Sequence, residues 1–291
     1  MDDPVLLFGV GATKAGTSWL HRYLSDHPQC HFRAIKELHY FNGFDFDDLP
    51  RQRAAIEAHK DGLLQRLETD SDARFANTIR QLGHIEHWLT VLDIGKEDTG
   101  AYLDYLKGGL EGEHVVGDIT PAYSLLSEAR LRQMAGLTAD VRFIYLMRDP
   151  VARVWSHIRM MAKRRKDGGD TLEARAAHLF RRWMRGEEKQ LDLRGDYASA
   201  LTKLRNAVAG EKLLVMFYED LFSENGVARV CAHLGIDPAP GSFDKRVMEG
   251  ERLTLSDEDR AMARGRLAPQ YEFVAAAMGD LPGAWHPDGK G

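Results

Sequence analysis

The chain has 291 residues, 44% hydrophobic and 29% charged, a composition that supports a substantial buried core. Its 39 basic and 44 acidic residues leave a formal charge of -5, which argues against a nucleic-acid protein with a basic field but permits one local basic pocket. Length alone allows one large α/β domain or two smaller ones. The two cysteines, Cys30 and Cys231, are far apart and lack metal-ligand spacing, so neither a disulfide framework nor a zinc site is expected. The opening MDDPVLLFGVGA is acidic where a signal peptide is basic, and its apolar run is too short to span a bilayer. A cytoplasmic location is expected, with peripheral membrane contact left open.

Val5–Val10 is almost wholly apolar and runs into a glycine-rich turn, the pattern of a strand buried on both faces of a parallel sheet. Thr17 and Ser18 open a helix that reaches about Asp26, where His27-Pro28 stops it. A short strand is expected around Cys30–Arg33, and from Leu49 to Leu110 the pattern is helical throughout, an insertion of helices. Strand character returns at His114–Ile119, Val141–Met147 and Leu213–Phe217, with helical sequence between. This alternation predicts an α/β fold with a parallel sheet and right-handed crossovers. Ser256–Met278 reads as one or two terminal helices, with a capping-box pattern at Ser256–Asp259.

Ligands of such sheets sit beyond the carboxyl ends of the strands. Gly11-Ala-Thr-Lys-Ala-Gly16-Thr17-Ser18 follows the first strand with the glycine spacing of a phosphate-binding loop. Successive N–H groups there can face one anion, Thr17 and Ser18 can donate hydroxyl hydrogen bonds, and Lys14 adds a full charge. A magnesium-dependent triphosphatase carries its lysine after the second glycine; this chain has Thr17 there. The strand ending at Met147 is followed by Arg148, where such an enzyme usually has an acidic residue. Pro150 suits a first helical turn, and Ser156 lies eight residues from Arg148, about two helical turns. The two strand ends thus offer two separate phosphate sites.

Thr13-Lys-Ala-Gly-Thr-Ser-Trp-Leu20 resembles the 5′-phosphosulfate loop of sulfotransferases that use 3′-phosphoadenosine 5′-phosphosulfate (PAPS), and Arg148-Asp-Pro-Val-x-Arg-x-x-Ser156 resembles their 3′-phosphate motif. Lys36-Glu37-Leu-His39-Tyr-Phe41, Gly117–Tyr123, Gly195–Ala198 and Tyr218–Leu221 continue the likeness in the family's order, nearest to the bacterial and heparan-sulfate-type carbohydrate branch. The resemblance implies a single sulfotransferase domain over residues 1–291, with a P-loop-like parallel sheet and residues 49–110 covering the acceptor site. It implies transfer of a sulfuryl group from PAPS to a hydroxyl, in preference to an amine, of a small-molecule, carbohydrate or lipid acceptor. The product nucleotide is then 3′-phosphoadenosine 5′-phosphate, and no metal takes part. By the same resemblance Thr13, Lys14, Ala15, Gly16, Thr17, Ser18, Trp19, Arg148 and Ser156 bind the donor, Lys14 neutralises the leaving oxygen, Glu37 is the general base, and His39 is its partner or a substrate contact.

Asp118-Ile119 stands where heparan-type relatives have Glu-Lys, so a lysine that touches acidic substrates is missing; Asn42 replaces an acidic residue, and the paired C-terminal cysteines of that branch are absent. These departures lean away from a glycosaminoglycan acceptor. Trp19, Phe41, Tyr123 and Trp155 suit core packing better than base stacking, and Lys163–Lys166 reads as a solvated helix end more readily than a binding patch. A P-loop small-molecule kinase and a non-catalytic nucleotide-binding module are the alternatives.

Overall fold

The computed structural model describes residues 3–68, 72–165, 170–241 and 253–287. Strand β1 (Val5–Gly11) is buried along its whole length, as its apolar run requires, and occupies the centre of a five-stranded parallel sheet. After helix α1 (Thr17–Ser25) the chain enters β2 (Cys30–His31), shorter than expected because only Cys30 and His31 pair with the neighbouring strand. Helix α2 (Tyr40–Asp45) then leads into the insertion: α3 (Leu49–Leu67), α4 (Asp72–Asp93) and α5 (Thr99–Lys107). The chain rejoins the sheet as β3 (Val115–Asp118).

A 3₁₀ turn at Pro121–Leu125 and α6 (Glu128–Ala135) precede β4 (Val141–Met147). Four helices follow: α7 (Pro150–Arg164), α8 (Leu172–Met184), α9 (Lys189–Leu193) and α10 (Tyr197–Ala207). Strand β5 (Leu213–Phe217) closes the sheet, and α11 (Tyr218–Leu221), α12 (Glu224–Leu234), α13 (Asp257–Arg266) and α14 (Ala268–Met278) complete the chain. The expected cap at Ser256 is present, its hydroxyl accepting the Asp259 N–H at 3.1 Å.

The strand order is β2-β3-β1-β4-β5. Phe8 of β1 pairs with Asp118 and with Phe143, and the register shifts between Gly9 and Gly11 as the strand bends into its loop. Gly9 is required by close packing, because a Cβ there would lie 2.7 Å from Ile119 Cγ2. Both cysteines are free and buried. Among the described residues no helix is long and apolar enough to cross a membrane.

Candidate active site

Three chain segments meet at the carboxyl edge of β1, β3 and β4. The first is the Gly11–Ser18 loop. Gly16 has φ +94, and a Cβ there would come within 2.9 Å of Tyr218 Cδ2, so the loop lies flat against the Tyr218 ring. Lys14 also takes a left-handed backbone (φ 71), a conformation a residue with a Cβ seldom adopts. Its ammonium is pushed below the usual lysine range first by burial and then by Arg148, Arg159, Arg164 and Lys36. The four strongest charges acting on Lys14 are therefore all cationic, the field of a pocket made for a multiply charged anion.

The second segment starts at the end of β4. Arg148 Nη1 donates to the Lys14 carbonyl at 3.4 Å, and its guanidinium sits 4.5 Å from the centroid of the Tyr218 ring, which stacks it in place. The Tyr197 hydroxyl donates to the Arg148 carbonyl at 2.6 Å and lies 3.2 Å from the Arg148 N–H, fixing the backbone from which the side chain projects. Asp149 caps α7 by accepting the Ala152 N–H at 2.7 Å, while Tyr271 donates to its other oxygen at 2.5 Å. Ser156 is half-buried two turns along α7.

Arg153 does not join this anion pocket. It is 2% exposed, donates from Nη2 to the Leu191 carbonyl at 2.9 Å, and supports Gly195 from below. Arg159, to which the sequence motifs assign no role, also acts on Lys14. It follows Ser156 by three residues on α7, so the two share one helix face, a periodicity that points to it. Lys163, Arg164 and Arg165 are exposed at the helix end, Lys166 lies outside the described residues, and Arg164 alone of the group acts on Lys14.

The third segment is Lys36–Phe41. Lys36 Nζ lies 2.6 Å from Glu37 Oε1, and His39 Nε2 lies 3.5 Å from Oε2. Burial raises the Glu37 pKa, but the His39 hydrogen bond and the Lys36 charge outweigh it and bring it down to about 2. The carboxylate is 41% exposed, open to an incoming acceptor. His39 takes a left-handed backbone (φ 53), and its N–H reaches Thr120 Oγ1 at 3.4 Å.

Asp118 stabilises this turn. Fully buried, it accepts from the Thr120 hydroxyl at 2.7 Å, from Tyr123 at 2.6 Å and from Tyr102 of α5 at 3.0 Å. Tyr123 in turn accepts the Tyr40 N–H at 3.1 Å. The Asp118-Ile119 pair thus points inward on both counts, one residue as a hydrogen-bonding hub and the other as core against Gly9. Asn42 is also turned inward, donating to the Ala122 carbonyl at 3.2 Å.

Thr13, Gly16 and Ser18 are partly exposed along the loop, whereas Ala15 and Thr17 are buried in its floor. Trp19 is 5% exposed, stacked on Tyr23 at 5.5 Å and edge-on to Phe222, so its ring supports the loop from behind. Phe41 and Tyr123 are core, and Trp155 donates to the Leu253 carbonyl at 2.7 Å. Of two cavities of about 310 and 270 Å³, one lies beside Phe41, Arg130 and Glu97 and the other beside Trp155 and Phe180; neither is lined by the loop, Arg148 or Glu37. Among the described residues, no group of three or more His, Cys, Asp or Glu side chains could hold a metal ion.

A model of the sulfotransferase family matches residues 4–240. The chain belongs to the sulfotransferase family. Among solved structures, a sulfotransferase from Alicyclobacillus acidocaldarius superposes with a TM-score of 0.62 at 20% identity, covering 98% of this chain and 99% of that one. The sulfotransferase domain of the Synechococcus PCC 7002 olefin synthase does so with a TM-score of 0.51 at 17% identity, covering 96% of each chain. At these identities the likeness is one of fold. No curated protein sequence matches the chain. The parallel α/β sheet expected from the strand pattern and the sulfotransferase fold implied by the resemblance are both observed, with the matched region running from β1 past α12.

Proposed function

We propose that this sulfotransferase moves a sulfuryl group from PAPS to a hydroxyl of a small-molecule, glycan or lipid acceptor and releases 3′-phosphoadenosine 5′-phosphate. The chain acts as one domain, with the insertion over residues 49–110 covering the acceptor side. The observation that carries the reading is the cationic field centred on Lys14, at the mouth of a glycine loop, with an exposed carboxylate across from it at Glu37. The residues fit the donor: a loop that admits no Cβ at Gly16, and a stacked Arg148 one strand away.

PAPS, when bound, supplies the sulfuryl group and a phosphate leaving group. The N–H groups of the loop, with Thr17 and Ser18, hold the 5′ end, and Lys14 neutralises the charge that develops on the bridging oxygen. Arg148 and Ser156 hold the 3′-phosphate, Arg148 through a planar fork suited to a dianion. Glu37 takes the proton of the acceptor hydroxyl as its oxygen forms the new S–O bond, with His39 orienting the carboxylate. In the free protein Lys36 and His39 make Glu37 a weak base. Anionic groups brought into the pocket offset the surrounding cations, so donor binding raises the basicity of Glu37 before transfer.

Calorimetric titration with 3′-phosphoadenosine 5′-phosphate, with ATP plus magnesium, and with a nucleotide lacking the 3′-phosphate tests the donor. Tight binding that requires the 3′-phosphate and falls sharply in Arg148→Ala is expected. Preference for ATP with magnesium would replace this reading with the kinase. Lys14→Ala and Glu37→Gln should each abolish turnover with PAPS, and full activity in either would remove that residue from its role.

A further inference from the structure

The loop between α9 and α10 carries Arg194, a residue to which the donor motifs assign nothing. Its backbone is held on both sides. Arg153 supports Leu191 and Gly195 beneath it, Trp183 and Arg266 both bind the Asp192 carboxylate at 2.6 and 2.9 Å, and Tyr197 is anchored on the Arg148 backbone. The segment therefore cannot slide relative to the start of α7.

Three neighbouring arginines find acidic partners. Arg182 pairs with Glu188 at 2.6 Å, Arg185 with Glu187 at 2.6 Å and Arg266 with Asp192 at 2.9 Å. Arg194 is half-buried, and among the described residues no carboxylate comes within ion-pair distance of its guanidinium. The two acids nearest in sequence are already engaged, Asp192 by Trp183 and Arg266 and Asp196 by the Ser199 N–H and Gln270. The charges bearing on Arg194 are Glu37, which attracts it, and Arg51 of α3 and Arg164 of α7, which repel it. A half-buried cation placed among like charges is unfavourable unless an anion joins it. The donor's phosphates are accounted for by the loop and Arg148, whereas Glu37 marks where the acceptor hydroxyl must lie.

We propose that the acceptor carries an anionic group, a carboxylate, sulfate or phosphate, close to the hydroxyl that is modified, and that Arg194 receives this group beside Glu37, with Arg51 of the helical insertion and Arg164 flanking it. The inference rests on the sulfuryl-transfer reading above and assigns Arg194 as a specificity-determining residue. The overall charge of -5 does not oppose it, because the field that guides a ligand is the local one.

Inorganic phosphate is the probe. The full-length protein is first saturated with 3′-phosphoadenosine 5′-phosphate, which fills the donor site, and phosphate is then titrated by calorimetry into wild type, Arg194→Gln and Arg194→Lys. Wild type should take up one further phosphate, Arg194→Gln should bind it at least tenfold more weakly, and Arg194→Lys should recover part of the loss. Affinity for the nucleotide should stay within about twofold in all three. No uptake by the wild-type nucleotide complex, or equal uptake by Arg194→Gln, overturns the inference. A tenfold loss of nucleotide affinity in Arg194→Gln overturns it too, by making Arg194 a donor contact. Failure of the wild type to bind the nucleotide at all is a different outcome, and refutes the donor reading on which the inference stands.

Discussion

Replacing Gly195 with alanine isolates the support that Arg153 gives to the active-site edge. Gly195 does not have a positive φ, so the substitution brings no backbone strain and acts through its methyl group alone. A Cβ there would lie 2.5 Å from Arg153 Cζ and 2.6 Å from Nε, well inside contact distance. Arg153 is 2% exposed, so its guanidinium has to shift inside the core and loosen its bond to the Leu191 carbonyl. Overpacking of a tight core costs about 1–3 kcal/mol, and losing a charge-assisted hydrogen bond about 1.5–3 kcal/mol, for a total of roughly 2.5–6 kcal/mol. Guanidinium unfolding followed by circular dichroism measures this directly. In an Arg153→Met background the clash is relieved, and the same Gly195→Ala change should cost under about 1 kcal/mol, a non-additivity expected of residues in contact. Because Tyr197 lies two residues on and fixes the Arg148 backbone, nucleotide affinity should fall with stability. A loss below about 1 kcal/mol in the otherwise wild-type protein refutes the support assigned to Arg153.

Glu37 in the free protein should titrate near pH 2, so carbon-detected NMR of its carboxyl should show no protonation between pH 7 and 4; a midpoint above 4 contradicts the ion-pair geometry. Its folded pKa lies below the ordinary glutamate value of 4.5, so the stability it contributes is present above that value and is lost as pH falls towards 2. His21, His84 and His233 have pKa values lowered to about 4, chiefly by burial, and His157 to about 3. Here the unfolded state binds more protons below about pH 6.5, so stability should fall from there to pH 4. His84→Gln, which can still accept the Ala34 N–H now bonded to Nδ1 at 2.9 Å, should flatten that slope, and an unchanged slope excludes His84 as a contributor. Ile119→Lys restores the heparan-type lysine but places an ammonium in a fully buried position against Gly9. It should destabilise the protein by several kcal/mol in denaturant titration, and a stable variant would show that the position opens to the acceptor side.

The glycine loop and Arg148 were legible because their signals are local. A run buried on both faces followed by Gly11 and Gly16 fixes a strand and its loop, and Arg148 stands directly after a second such run. The insertion was legible as helices for the same reason, though α3 buries little beyond Leu63 and its partner is read only from the fold. The surroundings of Glu37 and Arg194 were not legible. Arg194 sits beside a glycine with no periodic neighbours, and its meaning depends on Arg153, Asp192 and Glu37, which the chain brings from three distant places. Asp118 was read by what it replaces, whereas its three hydroxyl donors come from Tyr102, Thr120 and Tyr123, the first of them across the β3 boundary. Trp19, whose type and place suit core packing better than base stacking, is enclosed by the Tyr23 and Phe222 rings.

The adjacency of β1 and β4 gives the molecule a ruler. Neighbouring strands lie about 4.8 Å apart, and here one ends in the loop while the next ends in Arg148. Two anions held at these ends are kept at a separation set by the backbone ladder itself plus the reach of one side chain. On the proposed reading, a nucleotide is selected by the distance between its charged groups before any contact with its base is made, and ligands with a single phosphate satisfy only one end of the measure.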